Sequence, residues 1–271
     1  MDALIAARLP IFWRMMAVVG LATLLAFARW LALLAGGHGE AGPGHPAGWR
    51  GLLRALKRGP AVGWRRTLAH VLSDGLLHRR LYRRSRARWL AHAAMLGGFL
   101  GLMCMSALAA LAEHILRPLG LAPGVVAVVL NKDHPLMALP NETFGLLLLA
   151  GGAYAGLRRL FWPGPNLPSE RPDVLALALL AFIAISGYPL ESLRLLAEAV
   201  PAEAARYSYI GWPLARLLAP LGLRWAEWHF WLFQVHVLAA STLFIYWPFS
   251  KMLHVLAAPL VAGLGAAEEG G

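Results

Sequence analysis

Two histidines, His236 and His254, stand eighteen residues apart in the last apolar stretch of the chain. On a regular α-helix eighteen residues make five turns, so both rings would leave one face with Cα atoms about 27 Å apart along the axis. That separation approaches the hydrocarbon thickness of a bilayer, about 30 Å. A third histidine, His92, opens another long apolar run. Imidazole is an axial ligand for haem iron, and a polar side chain inside a membrane helix is costly unless it has a partner or a task. Imidazoles facing a bundle interior at two membrane levels are what electron transfer through b-type haem requires.

The elements that must position these rings follow from composition. The chain has 271 residues, 59% of them apolar and only 14% charged, with mean hydropathy +0.58. A soluble domain would carry about 25% charged residues. Five segments are apolar with few or no charges: Met15–Gly36, interrupted by Arg29 near one end, then Trp89–Ala112, Thr143–Leu157, Val174–Leu190 and Trp228–Ser250. The third and fourth are short for a span and need their flanks. Only Glu142 separates the third from a neutral stretch reaching back to Pro135. The pattern predicts an all-α fold, one integral membrane bundle of five transmembrane helices over residues 1–271.

Orientation follows from the basic residues. Between Gly37 and Arg88 lie twelve Lys or Arg, against only Glu40 and Asp74. Arg158 and Arg159 follow the third segment and Lys251 the fifth. The positive-inside rule then puts the 37–88 loop, the 158–173 loop and the C-terminus in the cytoplasm, and the N-terminus outside, in a prokaryotic inner membrane. No small-residue cleavage site follows the first segment, which is expected to stay as a span. Within the loop, Leu52, Leu53 and Leu56, then Leu68, Val71, Leu72, Leu76, Leu77 and Leu81, recur at helical spacing. Amphipathic helices on the lipid surface or against a soluble partner fit that pattern. The net charge of +11 is concentrated in this loop, which points to anionic lipid and not to nucleic acid. The short tail ending Glu268-Glu269-Gly270-Gly271 leads us to expect no fused catalytic domain.

Chemistry narrows further. The single cysteine, Cys104, excludes an intrachain disulfide, an iron–sulfur cluster held by this chain alone and c-type haem attachment. Redox work would fall to histidine-held haem and dissolved quinone, with electrons exchanged through another subunit. His38, His45, His70 and His78 lie in the polar loop and read as solvated. His92 starts its helix at the cytoplasmic side, where the last helix ends near His254, so these two would clamp one haem. His236 lies nearer the opposite surface and needs another partner: His134 or His114, with Met103 and Met105 as deeper thioether candidates. His229 reads as interfacial. For quinone, Glu191 and Arg194 fall one turn apart at the outer end of the fourth segment, with Tyr188 close by. A carboxylate there would relay quinol protons. A plain i, i+3 ion pair is the competing reading. Lys132 and Asp133 are further candidates.

The residues also carry a family resemblance. Arg88-Trp89-Leu90-Ala91-His92 leads to Gly98-Phe99, and His134-Pro135-Leu136 leads to Asn141. Then come Ser186-Gly187-Tyr188-Pro189-Leu190-Glu191-Ser192-Leu193-Arg194, Ile210-Gly211-Trp212-Pro213, Trp231 with His236, and Trp247-Pro248-Phe249-Ser250-Lys251-Met252-Leu253-His254 followed by Pro259. In this order, over roughly residues 88–260, the set resembles the gamma subunit of respiratory nitrate reductase. More specifically it resembles the related membrane subunits that partner heterodisulfide-reductase-like iron–sulfur proteins. The resemblance implies a quinone-linked dihaem cytochrome b serving a cytoplasmic iron–sulfur subunit, with His92 and His254 on the inner haem and His236 on the outer. One position departs: Leu102 stands where nitrate reductase gamma subunits place a second histidine on that helix. The outer haem would take a ligand from elsewhere or be missing.

Two rival functions remain. A haem-free anchor for a redox complex is compatible with Leu102. A transporter is disfavoured, because no internal repeat and no matching pair of interrupted helices is found.

Overall fold

The structure, a computed structural model, describes residues 14–29, 68–69, 71–76, 78–162, 171–250, 252 and 255. The first span expected at Met15–Gly36 is helical over 14–29, and its remainder lies outside the described residues. So do most of the 37–88 loop, and His38, His45, His70 and His254. Regular structure among the described residues is helical, with no strand. The α-helices with defined ends are α1 (Arg79–Arg84), α2 (Arg86–Leu111), α3 (Pro123–Leu130), α4 (Pro135–Phe161), α5 (Arg171–Ala197), α6 (Ala202–Ala205), α7 (Gly211–Leu218) and α8 (Trp225–Tyr246).

Among the described residues four helices are long and apolar enough to cross a membrane: Arg86–Leu116, Pro135–Phe161, Val174–Ala197 and Trp225–Phe249. Their large outward residues, such as Leu90, Leu157, Ile185 and Leu238, are exposed, as lipid-facing residues are. Tryptophans stand at helix ends, with Trp162 after α4 and Trp228 in the first turn of α8 both exposed, where the headgroup region favours them.

Two spans are longer than their charge patterns predict. The third takes in its neutral flank back to Pro135 and runs through both Pro140 and Glu142. The fourth continues past Leu190 to Ala197, through Pro189, Glu191 and Arg194. In each case the charged side chain stays inside the helix because protein partners, described below, satisfy it. At the other end of α8 the opposite happens. The α-helix stops at Tyr246, a 3-10 turn covers Trp247–Phe249, and Ser250 is extended. Pro248 has no N–H to continue the ladder. The uninterrupted five-turn register expected between His236 and His254 is therefore not kept.

The chain divides into two compact units. The first includes Ala91–Pro168 and Leu177–Ala240. Inside it α2 and α4 run antiparallel and touch through glycines. A Cβ on Gly98 would strike the backbone of Phe144 and Leu148, one on Gly101 the Phe144 ring, and one on Gly151 the backbone of Ala91 and Met95. Lipid supplies no hydrophobic force between helices, so close backbone approach through small residues is how they gain contact. The second unit includes Met15–Leu90, Ser169–Ala176 and Ser241–Gly271. There Phe27 meets the edge of Trp247 with ring centroids 6.4 Å apart. Trp247 Nε1–H donates to the Met252 carbonyl at 3.0 Å, and Tyr82 packs edge-on against Trp89 at 5.1 Å.

Neighbouring glycines make the α2–α4 contact testable. Gly98→Ala should lower the unfolding free energy of the full chain in detergent by about 1–3 kcal/mol through overpacking. At Gly97 a Cβ would meet nothing within 4 Å, so Gly97→Ala should be neutral or stabilising by up to about 1 kcal/mol. Equal effects at both positions would show that the contact is not made.

Candidate functional site

Two polar constellations lie in the first unit, at different depths. The deeper one centres on His236, eleven residues into α8 and so about 16 Å from its start. Because α8 begins at Trp225 and not at Trp228, His236 lies about one turn further into its helix than the charge pattern predicts. His236 Nδ1 lies 2.9 Å from Ser186 Oγ on α5, and that hydroxyl lies 3.3 Å from the Ile183 carbonyl one turn back. Ser186 is buried. A Cβ at Gly187 would come to 3.9 Å from His236 Cε1, an ordinary contact, so the ring packs beside this residue.

The second constellation sits where α5 ends. Arg194, with 4% of its side chain exposed, bonds three carboxylates. Glu191 is held in a two-pronged pair, Nε to Oε2 at 2.9 Å and Nη2 to Oε1 at 2.8 Å. Glu198 accepts from Nη1 at 2.8 Å, and Asp133, ahead of α4, accepts from Nη2. Glu191 Oε1 takes a further bond from Ser208 at 2.9 Å. Beside this network Glu142, 3% exposed, accepts the Ile210 N–H at 2.9 Å and the Gly211 N–H at 3.3 Å. These are amides at the N-terminus of α7, where a carboxylate satisfies unpaired donors and faces the positive end of the helix dipole. Both carboxylate side chains crowd Gly211: a Cβ there would meet Glu191 Cγ at 2.8 Å and Glu142 Oε1 at 3.1 Å. Tyr188 donates to the Glu142 backbone carbonyl at 3.1 Å, and the single Ser192 O–H proton is shared between the carbonyls of Tyr188 at 2.8 Å and Gly211 at 2.9 Å.

The structure therefore gathers Glu191, Arg194 and Asp133 into one network and places Tyr188 beside it, bonded across to α4. His92 is partly buried on α2. His114 is exposed and lies in a π-helical turn, Ala112–Leu116, which shifts it from the α-helical register expected relative to His92. His134 is the N-cap of α4, its Nδ1 accepting the Leu136 N–H at 3.2 Å. A neutral ring whose Nδ1 accepts carries its proton on Nε2. His229 is buried against the Phe233 ring. No group of three or more His, Cys, Asp or Glu arranged for a bare metal ion occurs among the described residues. Haem asks only for axial ligands, and the half-buried His236 imidazole with its Nδ1 engaged fits that need.

Three contributors escape a reading of the sequence: Glu142, Ser186 and Ser208. By charge pattern Glu142 is a helix boundary, yet the rule that singles out the histidines, that a membrane helix rarely carries an ionisable group without purpose, applies to it equally. Ser186 opens one of the resemblance stretches, but neither serine signals a role by its type, since serine is common in membrane helices as a back-bonded side chain. A cavity of about 460 Å³ near the α2–α3 turn, lined by residues such as Leu116, Leu121, Val126 and Leu130, includes none of the predicted site residues.

The nitrate reductase gamma subunit family matches residues 105–262, more than half of the chain, and the chain belongs to that family. The matched stretch includes His114, His134, Glu142, Arg194, His236 and His254, while His92 precedes it. Similar proteins include a subunit of the dihydromethanophenazine:CoB–CoM heterodisulfide reductase from Methanosarcina mazei, 27% identical over 191 residues, which are 70% of this chain and 64% of that protein. Its counterpart from Methanosarcina barkeri is 27% identical over 124 residues, 46% of each chain. This chain thus spans about half to two thirds of the length of the curated relatives it matches. No solved structure matches it. With its four long apolar helices, the chain is a multi-pass membrane member of a family of redox-complex subunits.

The Arg194 network predicts a stability effect. Arg194→Met would leave Glu191 and Asp133 without their cation, and should lower the unfolding free energy in detergent by about 3–5 kcal/mol. Arg194→Lys should recover only part of it, because an ammonium cannot make the two-pronged bond to Glu191. Unchanged thermal and denaturant unfolding in both variants would mean that Arg194 is not structural and is reserved for a ligand.

Proposed function

We propose, from membership of the nitrate reductase gamma subunit family, that this chain is the haem b-bearing membrane subunit of a quinone-linked oxidoreductase. It would exchange electrons between membrane quinone and a cytoplasmic iron–sulfur subunit of the heterodisulfide-reductase type. The observation that carries this reading is the half-buried His236 ring met at Nδ1 by the buried Ser186 hydroxyl of a neighbouring helix. Bound haem supplies a one-electron centre that crosses between redox states without bond-making by the protein.

The protein's own residues do the rest. His92 and His254 are proposed to hold the haem nearer the cytoplasm, and His236 the outer one if both are present. The second ligand of the outer haem is His114 or His134. His134 would take that role only by releasing the backbone N–H it now caps. Five spans, an outside N-terminus and a cytoplasmic C-terminus put the Arg194–Glu142 end of the bundle at the outer face of a prokaryotic inner membrane. Quinone would exchange there, with Tyr188, Glu191 and Arg194 among its polar neighbours and a carboxylate handing protons to the outer water. The Lys- and Arg-rich 37–88 segment faces lipid and partner at the inner surface.

Haem per polypeptide on the detergent-purified complex, by pyridine haemochrome with a dithionite-reduced spectrum, tests the reading. Two b haems are expected, falling by one or more in His236→Ala, and full loss of quinone-linked electron transfer is expected in variants of His92 and His254. A fully assembled complex without haem would leave only the anchor.

A further inference from the structure

Ser186 has a task that its place in a membrane helix does not require. A serine in such a helix ordinarily gives its hydroxyl proton to a carbonyl one turn back, and Ser186 Oγ lies 3.3 Å from the Ile183 carbonyl. When the proton goes to that carbonyl, the oxygen keeps lone pairs that accept. The group facing them is His236 Nδ1 at 2.9 Å, on a different helix and fifty residues away in sequence. An imidazole that donates from Nδ1 carries its lone pair on Nε2, the nitrogen free to bind iron. His134 has the reverse arrangement, with Nδ1 accepting a backbone N–H.

We infer that Ser186 is the positioning residue for His236: its hydroxyl accepts the Nδ1–H, sets the tautomer and orients the ring so that Nε2 is presented as a haem ligand. The inference rests on the haem reading above. Its physical basis is general. An iron-bound histidine gains basicity and a fixed ring plane when its other nitrogen donates to a protein acceptor, and loss of such a partner typically weakens metal affinity about 10–100-fold. The local structure supports the assignment: Ser186 is buried, so water does not compete for the Nδ1–H. A bond that merely tied α5 to α8 would serve as well with the proton running either way. A ligand-positioning bond requires Nδ1 to be the donor.

The test compares Ser186→Thr with Ser186→Val in the full chain within its purified complex. The two side chains share shape and differ only in the hydroxyl. Readouts are haem content, haem retention against an apo-haem scavenger, and the low-spin electron paramagnetic resonance g-values and midpoint potential of the haem lost in His236→Ala. The valine variant should hold that haem about 10–100-fold more weakly, with shifted g-values and potential. The threonine variant should stay close to wild type. A valine variant with wild-type affinity, g-values and potential overturns the inference, and so does equal loss in both variants, because shape would then govern. Wild-type complex without haem, or His236→Ala with its full complement, overturns instead the haem reading on which the inference rests.

Discussion

A guanidinium buried at the end of α5 constrains everything around it. Arg194 has almost no contact with solvent, and a lone charge in that position would cost several kcal/mol. It is tolerated because Glu191 and Glu198 reach it from its own helix and the turn that follows, and Asp133 from the lead-in to α4. That requirement pins α4 to α5 at one end. It also fixes the connection that follows, since the same Glu191 oxygen that bonds Arg194 takes the Ser208 hydroxyl. Ser192, two residues before Arg194, holds the Gly211 carbonyl, and Glu142 holds the Ile210 and Gly211 amides. Irregular backbone close to membrane depth persists only where protein groups meet its polar atoms. The stretch between α5 and α7 meets that condition through side chains sent from two spans.

One consequence reaches the histidine. Helix α5 carries Arg194 at one level and Ser186 eight residues earlier, about 12 Å away along the axis. The ion network sets where α5 stands relative to α4 and to the segment that leads into α8, and Ser186 then meets His236 on α8. The polar end is thus linked to the imidazole through a single rigid element and not through a chain of charges.

Legibility in the sequence divides along physical lines. Long uncharged runs announce the four membrane-length helices, because bilayer thickness sets a length that composition shows directly. Their ends are harder. Treating Glu142 as a boundary shortens the third span, and treating Glu191 and Arg194 as end residues shortens the fourth. A charge in the sequence does not reveal whether a partner far along the chain neutralises it, and Asp133 for Arg194 and Ile210 for Glu142 are such partners. The last helix fails in the other direction. Periodicity carries it through to His254, whereas Pro248 ends the α-helix after Tyr246, and proline weighs more than hydropathy in that turn. The Glu191–Arg194 pair is readable from its i, i+3 spacing. Its two further acidic partners are not both readable, since only Glu198 lies within a turn.

Polarity in the first unit is graded with depth, and the grading follows the solvent. Formal charges gather at the end of α5, where Asp133 and Glu198 keep 25% and 44% of their side chains exposed and water can share the cost of the ions. Deeper in, eight residues back along α5, the polar contact is a hydroxyl against an imidazole. With Nδ1–H donated to Ser186 such a ring needs no counter-charge, which suits a low-dielectric interior where an unpaired ion is most costly. Glu142 lies between these regimes. It is a carboxylate with no cationic side chain among its hydrogen-bond partners, facing two backbone amides and the positive end of α7, so peptide dipoles replace a counter-ion. A redox subunit that moved charge through this bundle would benefit from that order. Fixed ions at the surface set a constant field, while the interior holds groups whose own charge does not have to change when an electron arrives.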